Sequence, residues 1–95
     1  MAEPTRNEAV VVGAASVVVA VEHLSRQVIS FRNSSAAGQS ITINFGGQPA
    51  VMNAGSVIAP TQPIADSNSE GYRCYAGIIT AIADGAGAIL SIYER

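Results

Sequence analysis

The sequence has no tryptophan and no lysine, a single cysteine and a single histidine, and charged residues fill only 13% of its 95 positions, about half the usual share. Each shortage closes off a class of function. All five basic residues are arginines and the net charge is −2, so no basic stripe exists to neutralise phosphates, and no nucleic-acid partner is expected. Cys74 is alone, which rules out an intrachain disulfide or a cysteine-rich metal site and argues against a small stapled secreted domain. With His23 as the one histidine, the usual nitrogen and sulfur ligands of structural zinc cannot be assembled. No metal and no cofactor is expected. The uncharged run at residues 9–21 is thirteen residues long and contains seven valines. A spanning helix needs about 20 residues, and β-branched side chains prefer strands, so no membrane partner is expected either. The mildly acidic start, with Glu3, Arg6 and Glu8, is not the positive region of a signal peptide.

Apolar residues, by contrast, are plentiful, at 48%. That excludes a disordered chain, which needs low hydrophobicity and high net charge. A single domain of this size buries only roughly 60–65% of its unfolded surface. The surplus of apolar side chains is therefore expected to pack against another subunit.

Along the chain the rhythm is strand, turn, strand. Residues 9–12 form a short apolar run ended by Gly13, and residues 16–22 are apolar on both faces, as in a strand covered on both sides. Residues 26–32 alternate, with Gln27, Ile29 and Phe31 opposed to Arg26, Val28, Ser30 and Arg32. Residues 40–45 alternate strictly, setting Ile41, Ile43 and Phe45 against Ser40, Thr42 and Asn44. Val57, Ile58 and Ala59 form another short run, and Pro60 and Pro63 restrict the segment they frame to an edge strand or an irregular connection. Residues 66–71 read as a polar loop, while residues 72–76 and 78–83 read as strands. The turn Asp84-Gly85-Ala86-Gly87 then closes a hairpin onto residues 88–93, where Ala88, Leu90 and Ile92 oppose Ile89, Ser91 and Tyr93. Core contacts in that hairpin are expected from Ile78, Ile82, Leu90 and Ile92. No stretch has a sustained helical period. The fold class is all-β: a small antiparallel β-sandwich or barrel of about seven to eight short strands with an N-terminal arm. Residues 1–12 are the arm or an edge strand, and residues 13–95 the single β-sandwich domain. The first eight residues are too polar to pack as a strand of their own domain, whereas Ala9, Val10, Val11 and Val12 form an element that can add to a neighbour's open sheet edge.

No motif carries catalytic chemistry. His23 has no nucleophile elbow or other local context for a catalytic triad and reads as a turn or interface residue. Cys74 lacks a histidine partner and reads as a buried, inert thiol. Residues 66–71, D-S-N-S-E-G, imitate the opening of a calcium loop, but the twelfth position is Gly77 and neither flank is helical, so a solvated loop is the better reading. Asn33-Ser34-Ser35 fits a glycosylation acceptor only in a secreted protein. Gly46-Gly47 and Gly85-Ala86-Gly87 lack the lysine of a phosphate loop and read as turns. The aromatics Phe31, Phe45, Tyr72, Tyr75 and Tyr93 read as core and interface anchors, with a sugar-stacking platform as the competing use.

From residue 26 onward the sequence has a resemblance. R-Q-V-I-S-F-R-N and S-I-T-I-N-F-G, then G-S-V-I-A-P, S-E-G-Y and the terminal G-I-I-T-A-I-A-D-G-A-G-A-I-L-S-I-Y-E-R, resemble the small β-sandwich accessory proteins of tailed-bacteriophage particles, of the decoration or cement type. Pro60-Thr61-Gln62-Pro63 departs from the proline–glycine turn expected there. The resemblance implies a non-enzymatic structural component of a phage virion, a capsid decoration protein. It would be assembled in the host cytoplasm and bind the capsid surface. Its partners would be itself, as a homo-oligomer such as a trimer, and the major capsid protein. Ala9, Val10, Val11 and Val12 are the contact residues expected for such packing. The alternative is a carbohydrate-binding or host-adhesion module on a virion, working through tyrosines on one sheet face.

Overall fold

The computed structural model describes residues 5–36 and 38–95. Eight strands account for its regular structure: β1 (Arg6–Val12), β2 (Val17–Ala20), β3 (Val28–Asn33), β4 (Ile41–Phe45), β5 (Ser56–Ile58), β6 (Pro63–Ser67), β7 (Ile79–Ala83) and β8 (Ala88–Glu94). They form two antiparallel sheets of four, in the orders β1-β8-β3-β6 and β2-β7-β4-β5. The all-β expectation and the strand count both hold, and the architecture is a sandwich.

The order has a simple logic. The first strand pairs with the last, the second with the seventh, the third with the sixth and the fourth with the fifth. This is one long hairpin ladder, doubled over at the β4–β5 connection and rolled up so that β3 meets β8 and β4 meets β7. Such a roll is the jelly-roll topology. It corrects the expected C-terminal hairpin, because β7 and β8 lie in different sheets and residues 84–87 carry the chain from one sheet to the other. It also places Arg6–Val12 within the domain as an edge strand, paired to β8 from Arg6↔Glu94 to Val12↔Ala88. The expectation that the first eight residues are too polar to join their own sheet fails at Arg6, Asn7 and Glu8. Hydrogen bonding to β8 and an ion pair from Arg6 to Glu94 hold them in place. Residues 1–4 of the expected arm lie outside the described residues.

Alternation decides which side chains fill the space between the sheets. Ile29 and Phe31 of β3, Ile41 and Ile43 of β4, and Leu90 and Ile92 of β8 point inward and are almost wholly buried. Ile79, Ala81 and Ala83 of β7 join the same core. Phe31, Phe45 and Tyr75 form an edge-to-face chain, with ring centroids 6.2 and 5.8 Å apart. One of the four expected hairpin contacts is corrected: Ile78 is exposed, its place taken by Ile79; Ile82 is buried as expected, though on the other face of its sheet, shared with Thr42 and Thr80. That outer face is crossed by residues 46–55. Thr80 Oγ1 donates to the Gln48 carbonyl at 2.6 Å, and Thr42 Oγ1 accepts from the Asn53 amide at 3.2 Å. Gly55 makes the close return possible. Its φ is +141°, and a Cβ there would lie 2.5 Å from the Ile43 carbonyl oxygen.

Candidate functional site

Three features stand out beyond the core: an open strand edge, a buried charge cluster and a trough on one sheet face. Each sheet ends in two edge strands, and three of the four are blunted. β5 has three residues, β6 starts at Pro63, and β2 has four residues with its register broken between Val18 and Ala20. Short length, proline and bulges are the usual devices against edge-to-edge pairing. β1 has none of them. It is seven residues long with unbroken register, ending in three valines.

Of the expected contact residues, the structure leaves only two exposed. Val12 is fully buried in the core and Val10 packs against it, whereas Ala9 and Val11 face solvent. Alternation along β1 causes this split, and it corrects the assignment of Val12 as a contact. Val11 is 63% exposed, and Val18, Val21 and Leu24 are also more than half exposed. The expectation that residues 16–22 are covered on both sides therefore fails: β2 is an edge, and alternation turns Val18 outward opposite Thr80. The edges β1 and β2 come together where Arg6 Nη2 donates to the Val19 carbonyl at 3.0 Å.

Arg26 and Glu94 form the charge cluster, which is not among the candidates read from the sequence. The Arg26 guanidinium is fully buried and donates to Glu94 Oε2 at 2.6 Å and to the carbonyls of Val21 at 2.7 Å, Tyr75 at 2.8 Å and Gly77 at 3.2 Å. Arg6 Nη1 donates to the other Glu94 oxygen at 3.1 Å, and His23 Nδ1 stands 3.7 Å from Oε2. Burial pushes the Glu94 carboxyl up, but hydrogen bonds and charge from Arg26 and Arg6 outweigh it and hold the group below the usual carboxylate range. Alternation alone sets Arg26 on the outer face of its strand. The regular strand begins only at Val28, which frees Arg26 to turn inward. The cluster ties β8 to the β2–β3 and β6–β7 connections.

The other flagged residues are used locally. Cys74 is buried as expected, and burial first, then the nearby Asp66, pushes its thiol up. In the calcium-like loop both Asp66 oxygens are engaged, by the Tyr72 hydroxyl at 2.8 Å and the Tyr75 amide at 2.8 Å. Asn68 Oδ1 accepts from the Cys74 amide at 2.7 Å. These bonds also explain why residues 72–76 are not the expected strand: side chains have captured their amides. Asn33 is fully buried, donating to the Gln39 and Ile58 carbonyls, so its amide is not presented as a glycan acceptor. Tyr75 is a core anchor, while Tyr72 and Tyr93 remain at the surface. No group of three or more His, Cys, Asp and Glu side chains suited to a metal occurs among the described residues. No helix among them is long and apolar enough to cross a membrane.

The trough lies on the outer face of the β1-β8-β3-β6 sheet, a shallow depression of about 530 Å³. Cross-strand register puts Asn7, Tyr93 and Ser30 in one row and Ala9, Ser91 and Arg32 in the next. Pro63 closes the β6 side.

Comparison with protein-family models, with characterised proteins and with solved structures yields no match.

Proposed function

We propose that this chain is a non-enzymatic structural protein of a phage particle, a capsid decoration component that packs as a homo-oligomer on the major capsid protein. The observation that carries the reading is the long, unbroken β1 edge with Val11 exposed on it, together with Val18, Val21 and Leu24 exposed on and just after the β2 edge. Three edges are shortened, bulged or begun by a proline; β1 is none of these, and its charges, Arg6 and Glu8, sit at its start, which leaves the valine end to meet another chain. The jelly roll is an architecture used by viral capsid and lectin domains. Architecture alone does not assign a function, but this one accords with the resemblance of residues 26–95 to decoration proteins. Repeated weak contacts on a symmetric lattice would add by avidity. Val11 and Val18 belong to the contact; Val12 and Val10 serve the monomer's core. The experiment is an electron-microscopy map of the particle containing the chain. Sandwich-shaped density on the outer shell with the β1 edge at a subunit boundary is the expected result. Density elsewhere in the particle, or none, would remove the decoration reading.

A further inference from the structure

The trough on the β1-β8-β3-β6 face takes Asn7, Glu8 and Ala9 from the start of β1, and it is the place where unused hydrogen-bonding capacity gathers. Asn7, Ser30, Arg32 and Tyr93 line it from three adjacent strands. No hydrogen bond or ion pair of any of the four side chains occurs among the described residues, whereas Arg6 and Arg26 are fully engaged. The trough exists because the positions between them are small: Ala9 and Ser91 stand in the row beside Arg32, and the Ser91 hydroxyl is turned to Ser34 at 2.7 Å. Glu8 reaches the rim, but its carboxylate is held by Arg6 Nε at 2.6 Å. Arg32, exposed, is thus the uncompensated charge of the depression.

These groups define a ligand. Tyr93 offers an aromatic surface for the apolar face of a ring. The Asn7 amide and Ser30 hydroxyl both donate and accept, as dense ring hydroxyls require. The Arg32 guanidinium is shaped for a carboxylate, which it can grip through two parallel N–H bonds. The volume falls within the roughly 300–1,000 Å³ of small-molecule sites. The geometry points to a binding site for a carboxylate-bearing pyranose, a hexuronate unit of an acidic polysaccharide. One open site binds weakly, and several copies on one assembly would grip a polymer by avidity.

The test is an NMR titration of the isotopically labelled protein with trigalacturonate, with neutral galactotriose and triglutamate as the comparisons. The expected result is shifts centred on Asn7, Ser30, Arg32 and Tyr93, with a dissociation constant of about 1 mM or tighter for the acidic sugar. The neutral sugar should bind at least about tenfold more weakly, the difference a charge-assisted pair provides. Arg32→Gln should erase that preference, and Tyr93→Ala should weaken both sugars. Arg32 is exposed, so its variant should melt with the parent and report binding alone. Three outcomes overturn the inference: no shifts in the trough at about 10 mM ligand, a preference for the acidic sugar that survives Arg32→Gln, or triglutamate binding as tightly as the sugar, which would make the trough a contact for acidic protein.

Discussion

Replacing Glu94 by glutamine should remove a large part of this protein's stability margin. In the fold, one oxygen of Glu94 receives Arg26 Nε at 2.6 Å and the other receives Arg6 Nη1 at 3.1 Å. Glutamine keeps the shape but offers one acceptor and one donor, so one arginine faces an amide N–H instead of an oxygen. Arg26 has nowhere to go. It is buried, and its remaining partners are the neutral carbonyls of Val21, Tyr75 and Gly77. Removing one partner of a buried pair costs about 3–5 kcal/mol, because a charge is left uncompensated. Domains of this size have total stabilities of about 5–15 kcal/mol. The effect also has a pH signature. Because Glu94 titrates lower in the fold than its ordinary value of 4.5, its contribution is complete above the unfolded value and is lost as pH falls through the folded one. The assay is urea denaturation followed by far-UV circular dichroism, with parent and variant compared between neutral pH and the acid limit of folding. The gap should be widest at neutral pH and shrink in acid. A difference below about 1 kcal/mol at neutral pH, or a gap that grows in acid, would refute the reasoning.

Three further outcomes are expected. Leu90→Ala should cost about 2–5 kcal/mol, since Leu90 is fully buried, while Ile78→Ala should stay within about 0.5 kcal/mol on the exposed side of the β6–β7 connection; denaturant midpoints decide between them. Gly55→Ala should destabilise by about 1–3 kcal/mol, because its positive φ and the Ile43 carbonyl leave no room for Cβ; a thermal melt unchanged from the parent would contradict this. Cys74 should react with a thiol reagent only on unfolding, so labelling rates should follow the denaturation curve and not the thiolate fraction of a free cysteine.

How far the sequence could be read depended on whether a feature is local. Ile41, Ile43 and Phe45, and likewise Ala88, Leu90 and Ile92, face the core as their alternation requires, because one sheet face is a local property of a strand. Pairing is not local. Asp84-Gly85-Ala86-Gly87 has the composition of a hairpin turn, yet β8 finds β1 and β3, and nothing near residue 88 encodes partners so distant in the chain. The strand expected at residues 72–76 is lost to Asp66 and Asn68, whose side chains take the Tyr75 and Cys74 amides. One signal is present in the sequence without being decisive there: the inward series Ala88, Leu90, Ile92 continues to Glu94. A carboxylate in a core position demands a cation, and Arg6 and Arg26 supply it. The trough needed the register of three strands before its residues could be brought together.

The central proposal, that the β1 edge is an assembly surface, is tested most directly by the solution mass from light scattering at micromolar concentration, with the parent compared with a Val11→Lys, Val18→Lys variant. Both valines are more than half exposed, so the variant should fold while presenting charge at the edge. The expected result is a parent mass that is a multiple of 9.7 kDa and a variant that is monomeric with an unchanged melting curve. A parent that is monomeric, or a variant that keeps the parent's oligomeric mass, would contradict it.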